Sequence, residues 1–213
     1  MDTATQRAKK INGWLVAVLG VAWFVGLGAG VRVLLNYDAG PAAPGTPPSQ
    51  WPSESQVQRK PGLPTIVVMA HPHCPCTRAT IGELALLMAH LQNRATAVVL
   101  FIKPPGFQEQ WTQSDLWQSA KEIPSVSVLI DPNGVEANRF GAQASGQTML
   151  YDADGKLQFS GGITASRGHS GDNAGRSAIV SLVTTGTSET THTSVFGCSL
   201  HEPKTRSSIG DAQ

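Results

Sequence analysis

Nineteen consecutive residues without a charge, Gly13 to Val31 (GWLVAVLGVAWFVGLGAGV), stand close to the start of this chain. At a helical rise of 1.5 Å per residue such a run reaches roughly 28 Å, the thickness of a bilayer's hydrocarbon core. Trp14 and Tyr37 lie near its two ends, where amphipathic rings favour the membrane interface. Arg32 can extend its charge toward the headgroups. The run is longer than a usual signal-peptide core and no clear A-x-A site follows it, so residues 13–37 read as an uncleaved transmembrane anchor. The leader, residues 1–12, carries Arg7, Lys9 and Lys10 against Asp2, which predicts a cytoplasmic N-terminus and an exported remainder. Ala22, Gly26 and Gly30 form a small-residue row that offers a surface for homodimerisation of the helix.

The chain has 213 residues, enough for one compact domain beside the anchor. Its 16 basic and 15 acidic residues nearly cancel, so no one-signed field would draw it to nucleic acid. Residues 38–64 are rich in proline and read as an extended, solvated linker. Strand and helix patterns then alternate. Thr65 to Ala70, Ala97 to Ile102 and Ser125 to Ile130 are short, apolar, β-branched runs that read as buried strands. Pro75 to Leu91 has Ile81, Leu84, Met88 and Leu91 at helical spacing. Asp115 to Lys121 reads as a short helix capped by Ser114 or Asp115. Residues 147–151 and 157–160 flank the turn Asp152-Ala-Asp-Gly155 and predict a β-hairpin. Residues 172–183 read as a final helix with an Asp172 cap. The core domain therefore spans 65–183, and the Ser/Thr-rich tail, 184–213, reads as loosely ordered. Trp111 and Trp117 are expected to pack on the sheet. The fold class is α/β, a mixed, mainly parallel sheet with an antiparallel edge, covered by helices and preceded by one transmembrane helix.

Three cysteines are too few for a disulfide-stapled scaffold, and their odd number leaves at least one thiol outside any intramolecular pair. Two of them fall in His71-Pro-His-Cys-Pro-Cys-Thr-Arg78, between the first strand and the first soluble helix. With Cys74 at the N-cap, Pro75 takes the first helical position, where a missing N–H costs nothing. Cys76 and Thr77 follow at N2 and N3, so free N–H groups and the positive end of the helix dipole face the Cys74 sulfur. Both favour the thiolate and should bring its pKa below the free value of about 8.5. Arg78, one turn in, adds to this, and His71 and His73 are candidates for charge or proton relay. The third thiol, Cys198, lies in Val195-Phe-Gly-Cys-Ser-Leu200. His169 either approaches the site or caps the last helix, while His192 and His201 read as solvated. Such a Cys74 should be reactive and reachable from solvent.

The segment VVMAHPHCPCTRATIGEL resembles the strand–cysteine–helix opening of thioredoxin-like proteins, especially membrane-tethered TlpA/ResA-type thioredoxins and peroxiredoxins. The stretch IDPNGVEANRFGAQASGQTMLYDADGKLQFSGGI is similar to their central strand and terminal hairpin. More narrowly, the anchor, HCPCTRA, FSGGITASRGHSGDNAGR and VFGCSL resemble bacterial RedB-type proteins. The likeness covers about residues 64 to 200. It implies a thioredoxin fold and cofactor-free exchange with protein thiols and disulfides, at the outer face of a bacterial inner membrane, in the periplasm. It also implies catalytic roles for Cys74, Cys76, Arg78 and Cys198. Two departures stand out. A C-x-C replaces C-x-x-C, which puts Thr77 in the place of the resolving cysteine, and Gly146 falls where a cis-proline is usual. Either Cys76, through a strained bond, or Cys198, by folding back, would resolve Cys74. The same thiols with His71 and His73 also suit Cu(I) or Zn(II), soft-ligand metals, so metal handling stands as the alternative, beside a non-catalytic redox-binding domain. Peroxide reduction is disfavoured, because His71 occupies the position at which peroxiredoxins carry threonine.

Overall fold

The computed structural model describes residues 13–43 and 45–200. The leader cations and the tail from His201 onward lie outside the described residues. The chain divides into two compact units, Met1–Gly40 and Pro41–Gln213. The first holds one helix, α1 (Gly13–Ala39), whose stretch Gly13–Tyr37 is long and apolar enough to cross a membrane. Its apolar side chains, from Trp14 to Leu35, are exposed, as a lipid-facing surface requires.

The second unit is built on a five-stranded sheet of order β3-β2-β1-β4-β5. The strands are β1 (Thr65–Ala70), β2 (Thr96–Lys103), β3 (Val126–Pro132), β4 (Thr148–Tyr151) and β5 (Leu157–Gly161). β1, β2 and β3 run parallel; β4 is antiparallel to β1, and β5 to β4. Every residue of the central β1 is buried, which is why its sequence is a continuous apolar run and does not alternate. Parallel neighbours need a crossover. α2 (Pro75–Leu91) supplies it between β1 and β2, and α3 (Asp115–Lys121) between β2 and β3. α5 (Ala174–Thr185) packs beside α2. On this face Ile66, Val68 and Phe101 meet Leu84, Leu87 and Leu91 of α2 and Ile179 of α5 in one core.

The opposite face holds a second core, and here the sequence reading needs correction. Residues 45–57, expected as a solvated linker, lie on the sheet. The Trp51 ring meets Phe140 and Tyr151 edge-on at 5.0 and 5.2 Å, and Val57 is buried with Val67, Met69 and Val98. The Trp51 N–H donates to the Gly155 carbonyl at 2.7 Å, and the Leu157 N–H to that of Ser49 at 2.9 Å. The prolines keep this segment extended, and extended backbone can dock along a hairpin as well as cross solvent. The short helix α4 (Val135–Arg139) joins the same layer and was not foreseen. Its N-cap is Gly134, and its first-turn N–H groups, those of Glu136 and Ala137, are accepted by the carboxylate of the buried Asp131 at 2.8 and 2.9 Å.

Two further corrections concern the C-terminal part. α5 is capped by the Asn173 side chain, which accepts the Arg176 N–H; Asp172 instead pairs with the Arg176 guanidinium at 2.8 Å. The described tail is docked. Ser160 pairs with His192, Ala144 bridges Ser199, and Val195 and Leu200 are buried. Its Ser/Thr content concealed these two apolar anchors.

Candidate functional site: three thiols at the start of α2

Cys74 is the N-cap of α2, extended at φ −89° and ψ 123°, with Pro75 at the first helical position. Its sulfur makes no conventional capping bond. It lies instead 2.7 Å from the sulfur of Cys198, which the tail delivers across 124 residues of sequence. Both cysteines are free, and the separation is well beyond the roughly 2.05 Å of a disulfide. The backbone fixes it. The Ser145 N–H donates to the Cys198 carbonyl at 2.8 Å, and the Leu200 N–H to that of Gln143 at 3.0 Å. An antiparallel strap, residues 195–200, thus lies along the loop that precedes β4.

Burial pushes the Cys74 thiol up, but the Cys198 thiol and the N–H groups of Cys198, Cys76 and Thr77 more than offset it. Its pKa therefore lies below the ordinary thiol value, in the direction a helix N-terminus dictates. Cys198 moves the other way, to about 12, through burial and through its hydrogen bond to and repulsion from Cys74. Burial and the Cys74 charge also raise Cys76, against help from the Gly168 N–H and Arg167. Cys74 is thus the thiol that ionises most readily, with Cys76 and Cys198 held protonated beside it.

One expectation fails here. Cys74 is only 2% exposed, because the strap covers it. Arg78 also departs from its expected place. Its guanidinium pairs with Asp115 at 2.5 Å, both side chains 65% exposed, and it is not among the main influences on Cys74. The arginine that faces the thiols is Arg167, which acts on Cys76 and Cys198 and donates to the Gly197 carbonyl at 2.9 Å. Sequence reasoning missed it. Its only signal is a lone cation in the Gly- and Ser-rich stretch before the last helix.

Thr77, in the place of the usual resolving cysteine, is structural. Its hydroxyl donates to the His71 carbonyl at 3.0 Å and shares a 2.7 Å hydrogen bond with the Ser145 hydroxyl. The His71 N–H donates to the same Ser145 hydroxyl at 2.9 Å. These bonds clamp the β1–α2 junction to the strap's docking loop. Gly146 has φ +86° and lies against the Thr80 hydroxyl, and no peptide bond among the described residues is cis.

His71 Nδ1 accepts the His73 N–H at 3.2 Å, and His73 Nε2 donates to the Trp111 carbonyl at 3.0 Å. Burial and then His73 lower the His71 pKa, so that ring is neutral at pH 7. Trp111 stacks edge-on to both imidazoles and does not pack on the sheet, whereas Trp117 packs against Phe101 as expected. His169 neither caps α5 nor bonds a cysteine; its Nδ1 meets the Arg167 carbonyl at 2.7 Å. His192 Nδ1 bonds the Thr191 hydroxyl on the exposed surface. Among the described residues no group of three or more His, Cys, Asp or Glu side chains could hold an ion, although Cys74, Cys76, Cys198, His71 and His73 are all present.

A parallel β1–β2–β3 core, an antiparallel β4–β5 hairpin, and a cysteine at the β1–α2 junction are the arrangement that the resemblance implied. The fold is thioredoxin-like. No family model matches the chain, and no curated protein matches it. Solved structures do. An uncharacterized conserved protein from Geobacillus kaustophilus is similar with a TM-score of 0.55 at 18% identity, covering 78% of this chain and 94% of its own. A hypothetical protein from Sinorhizobium meliloti is similar with a TM-score of 0.54 at 17% identity, covering 76% and 96%. An exposed lipoprotein thioredoxin of Streptococcus pneumoniae is similar with a TM-score of 0.40 at 16% identity, covering 58% and 85%. In this thioredoxin-like domain the tail brings the Cys198 sulfur to within 2.7 Å of Cys74.

Proposed function

We propose that the chain is a membrane-anchored thiol–disulfide oxidoreductase with Cys74 as nucleophile and Cys198 as resolving thiol. The observation that carries this reading is the 2.7 Å approach of their sulfurs at a helix N-terminus. The Cys74 thiolate attacks one sulfur of a substrate disulfide R–S–S–R′, forming Cys74–S–S–R and releasing R′–S⁻. Cys198 loses its proton and attacks the Cys74 sulfur. The Cys74–Cys198 bond forms, the bond to R breaks, and R–S⁻ leaves. The substrate gains two electrons, the enzyme's dithiol loses them, and the same steps reversed oxidise a substrate dithiol. No cofactor enters either direction.

Cys198 is preferred over Cys76 as resolver because its sulfur stands 2.7 Å from that of Cys74 and the strap needs no distortion to reach it. Neutral His71, with Nδ1 already engaged, is a poor proton relay. The Cys74 sulfur is covered by the strap, so attack on a protein disulfide requires residues 195–200 to lift.

The reading places the domain in the periplasm of a bacterium. α1 would be a single inner-membrane span with its N-terminus cytoplasmic, following the positive leader. The narrower likeness to RedB-type proteins belongs to the same reading, and the Ala22, Gly26 and Gly30 row would serve self-association of the span.

The test uses the full chain in detergent with a protein disulfide as substrate. Cys74→Ser should abolish turnover, and Cys198→Ser should accumulate a mixed disulfide at Cys74. Turnover retained in Cys74→Ser would overturn the assignment.

A further inference from the structure

The strap is held from two sides. Ser145 and Gln143 bond it along the docking loop, and from the loop before α5 Arg167 Nη1 donates to the carbonyl of Gly197, the residue preceding Cys198. The Arg167 loop is itself fixed. The fully buried Glu83 carboxylate on α2 accepts the Gly171 N–H at 2.7 Å and the Arg176 guanidinium at 2.5 Å. Next to Arg167, the Gly168 N–H is directed to the Cys76 sulfur. A half-buried cation on a loop tied to α2 therefore grips the segment that both hides Cys74 and carries the second thiol.

We propose that Arg167 is a positioning residue that latches the Cys198 strap, shielding Cys74 before attack and presenting Cys198 after it. This rests on the thiol-exchange reading above and assigns it a control point. The two roles have opposite signs. A tighter latch makes Cys74 harder to reach, because the strap covers the sulfur. Once Cys74 is tied up in the mixed disulfide, the same latch keeps Cys198 beside the sulfur it must attack. The titratable and charged groups that face Cys198 are Cys74, Cys76 and Arg167. When the Cys74 charge is consumed, its repulsion and its hydrogen bond to the Cys198 thiol vanish together. The Arg167 charge remains, and it favours the thiolate that performs the second step.

An aromatic disulfide whose leaving thiolate absorbs visible light separates the two half-reactions on the full, reduced chain in detergent. The first thiolate released reports attack by Cys74, and the second reports displacement by Cys198. In Arg167→Gln the first release should quicken roughly fivefold, the effect of one lost hydrogen bond on strap opening. The second should slow severalfold, since the smaller Cys198 thiolate fraction left by the lost cation is only partly compensated by a more basic nucleophile. Its pH midpoint should move up. Arg167→Lys, which keeps the charge, should bring the midpoint back toward wild type, a change that a purely structural loss would not reproduce.

A normal first release with the second unmoved in rate and midpoint would overturn this inference and leave the exchange reading standing. Slowing of both releases together would also overturn it. No first release from the wild-type chain would overturn both. Should Arg167→Gln fail to fold, Arg167→Lys decides on the opposed rate changes of a weakened latch: a first release no faster and a second no slower than wild type would sink the proposal.

Discussion

The Cys74 sulfur lies 2.7 Å from that of Cys198, and Gly197 is what lets the strap come so close. A Cβ on Gly197 would stand 1.8 Å from the Ser145 carbonyl oxygen, a distance no neighbour in a fixed backbone can relieve. Gly197→Ala should therefore unseat the strap and remove Cys198 from Cys74. The expected outcome is loss of the Cys74–Cys198 linkage in the oxidised chain, with Cys198 becoming open to alkylation. The stability cost should stay near about 1–3 kcal/mol, the range for local overpacking. Alkylation of Cys198 followed by mass spectrometry checks it.

The thiols make stability depend on pH. Cys76 and Cys198 have raised pKa values in the folded chain, Cys198 to about 12. Unfolded, both titrate near the ordinary value of about 8.5. Above that value the unfolded chain has lost protons that the folded chain keeps, so their contribution is complete below about pH 8.5 and declines as pH rises toward 12. Cys74 is lowered, so its contribution is present above the unfolded value and is lost as pH falls through its folded pKa. A Cys74–Cys198 disulfide removes both of those titrations. The melting temperature of the reduced chain should thus fall more steeply from pH 9 to 11 than that of the oxidised chain. Parallel alkaline slopes would contradict the assigned protonation states.

Glu83 has no exposure, and among the described residues its cationic partner is Arg176, whose side chain is 14% exposed. Breaking a buried pair by removing one member typically costs about 3–5 kcal/mol. Glu83→Ala should approach the lower end of that range in urea denaturation, because Arg176 keeps Asp172 as a second partner. Glu83→Gln, which keeps one acceptor oxygen for the Gly171 N–H, should cost less. Cys198 should also exchange faster with alkylating reagents in Glu83→Ala, since the loop that carries Arg167 loses its mooring.

The proline-rich stretch makes a further expectation concrete. Trp51 covers Phe140 and Tyr151 but stays partly exposed. Trp51→Ala should therefore destabilise the domain by about 2–3 kcal/mol, below the full cost of a buried aromatic. A chain beginning its soluble part at residue 64 should melt well below one beginning at residue 41. Equal melting temperatures would show that residues 41–63 add nothing to the fold.

The elements that carried strong local signals were legible in the sequence. α2 begins and ends as its periodicity and its Cys74-Pro75 junction indicate, and the hairpin turn is the predicted Asp152–Gly155. What escaped depends on distant chain. α4 has five residues, too few to show a period, and its first-turn N–H groups are accepted by Asp131 before the turn. Asp172 and Asn173 are equally good cap types, and only the Arg176 geometry chooses between them. Arg78 draws attention because it is the cation nearest Cys74 in sequence. On the helix, however, its side chain is carried toward Asp115, while Arg167 arrives only once β5 and α5 have placed their connecting loop. Composition also misled in the tail, where Val195 and Leu200 alone mark a docked segment among polar residues.

The central claim is that Cys74 and Cys198 are the redox pair. Mild oxidation of the full chain, alkylation of the remaining thiols and peptide mapping without reduction test it directly. The account predicts one linkage, Cys74 to Cys198, with Cys76 recovered alkylated. A Cys74–Cys76 linkage, or three alkylated cysteines after treatment with oxidant, would contradict it.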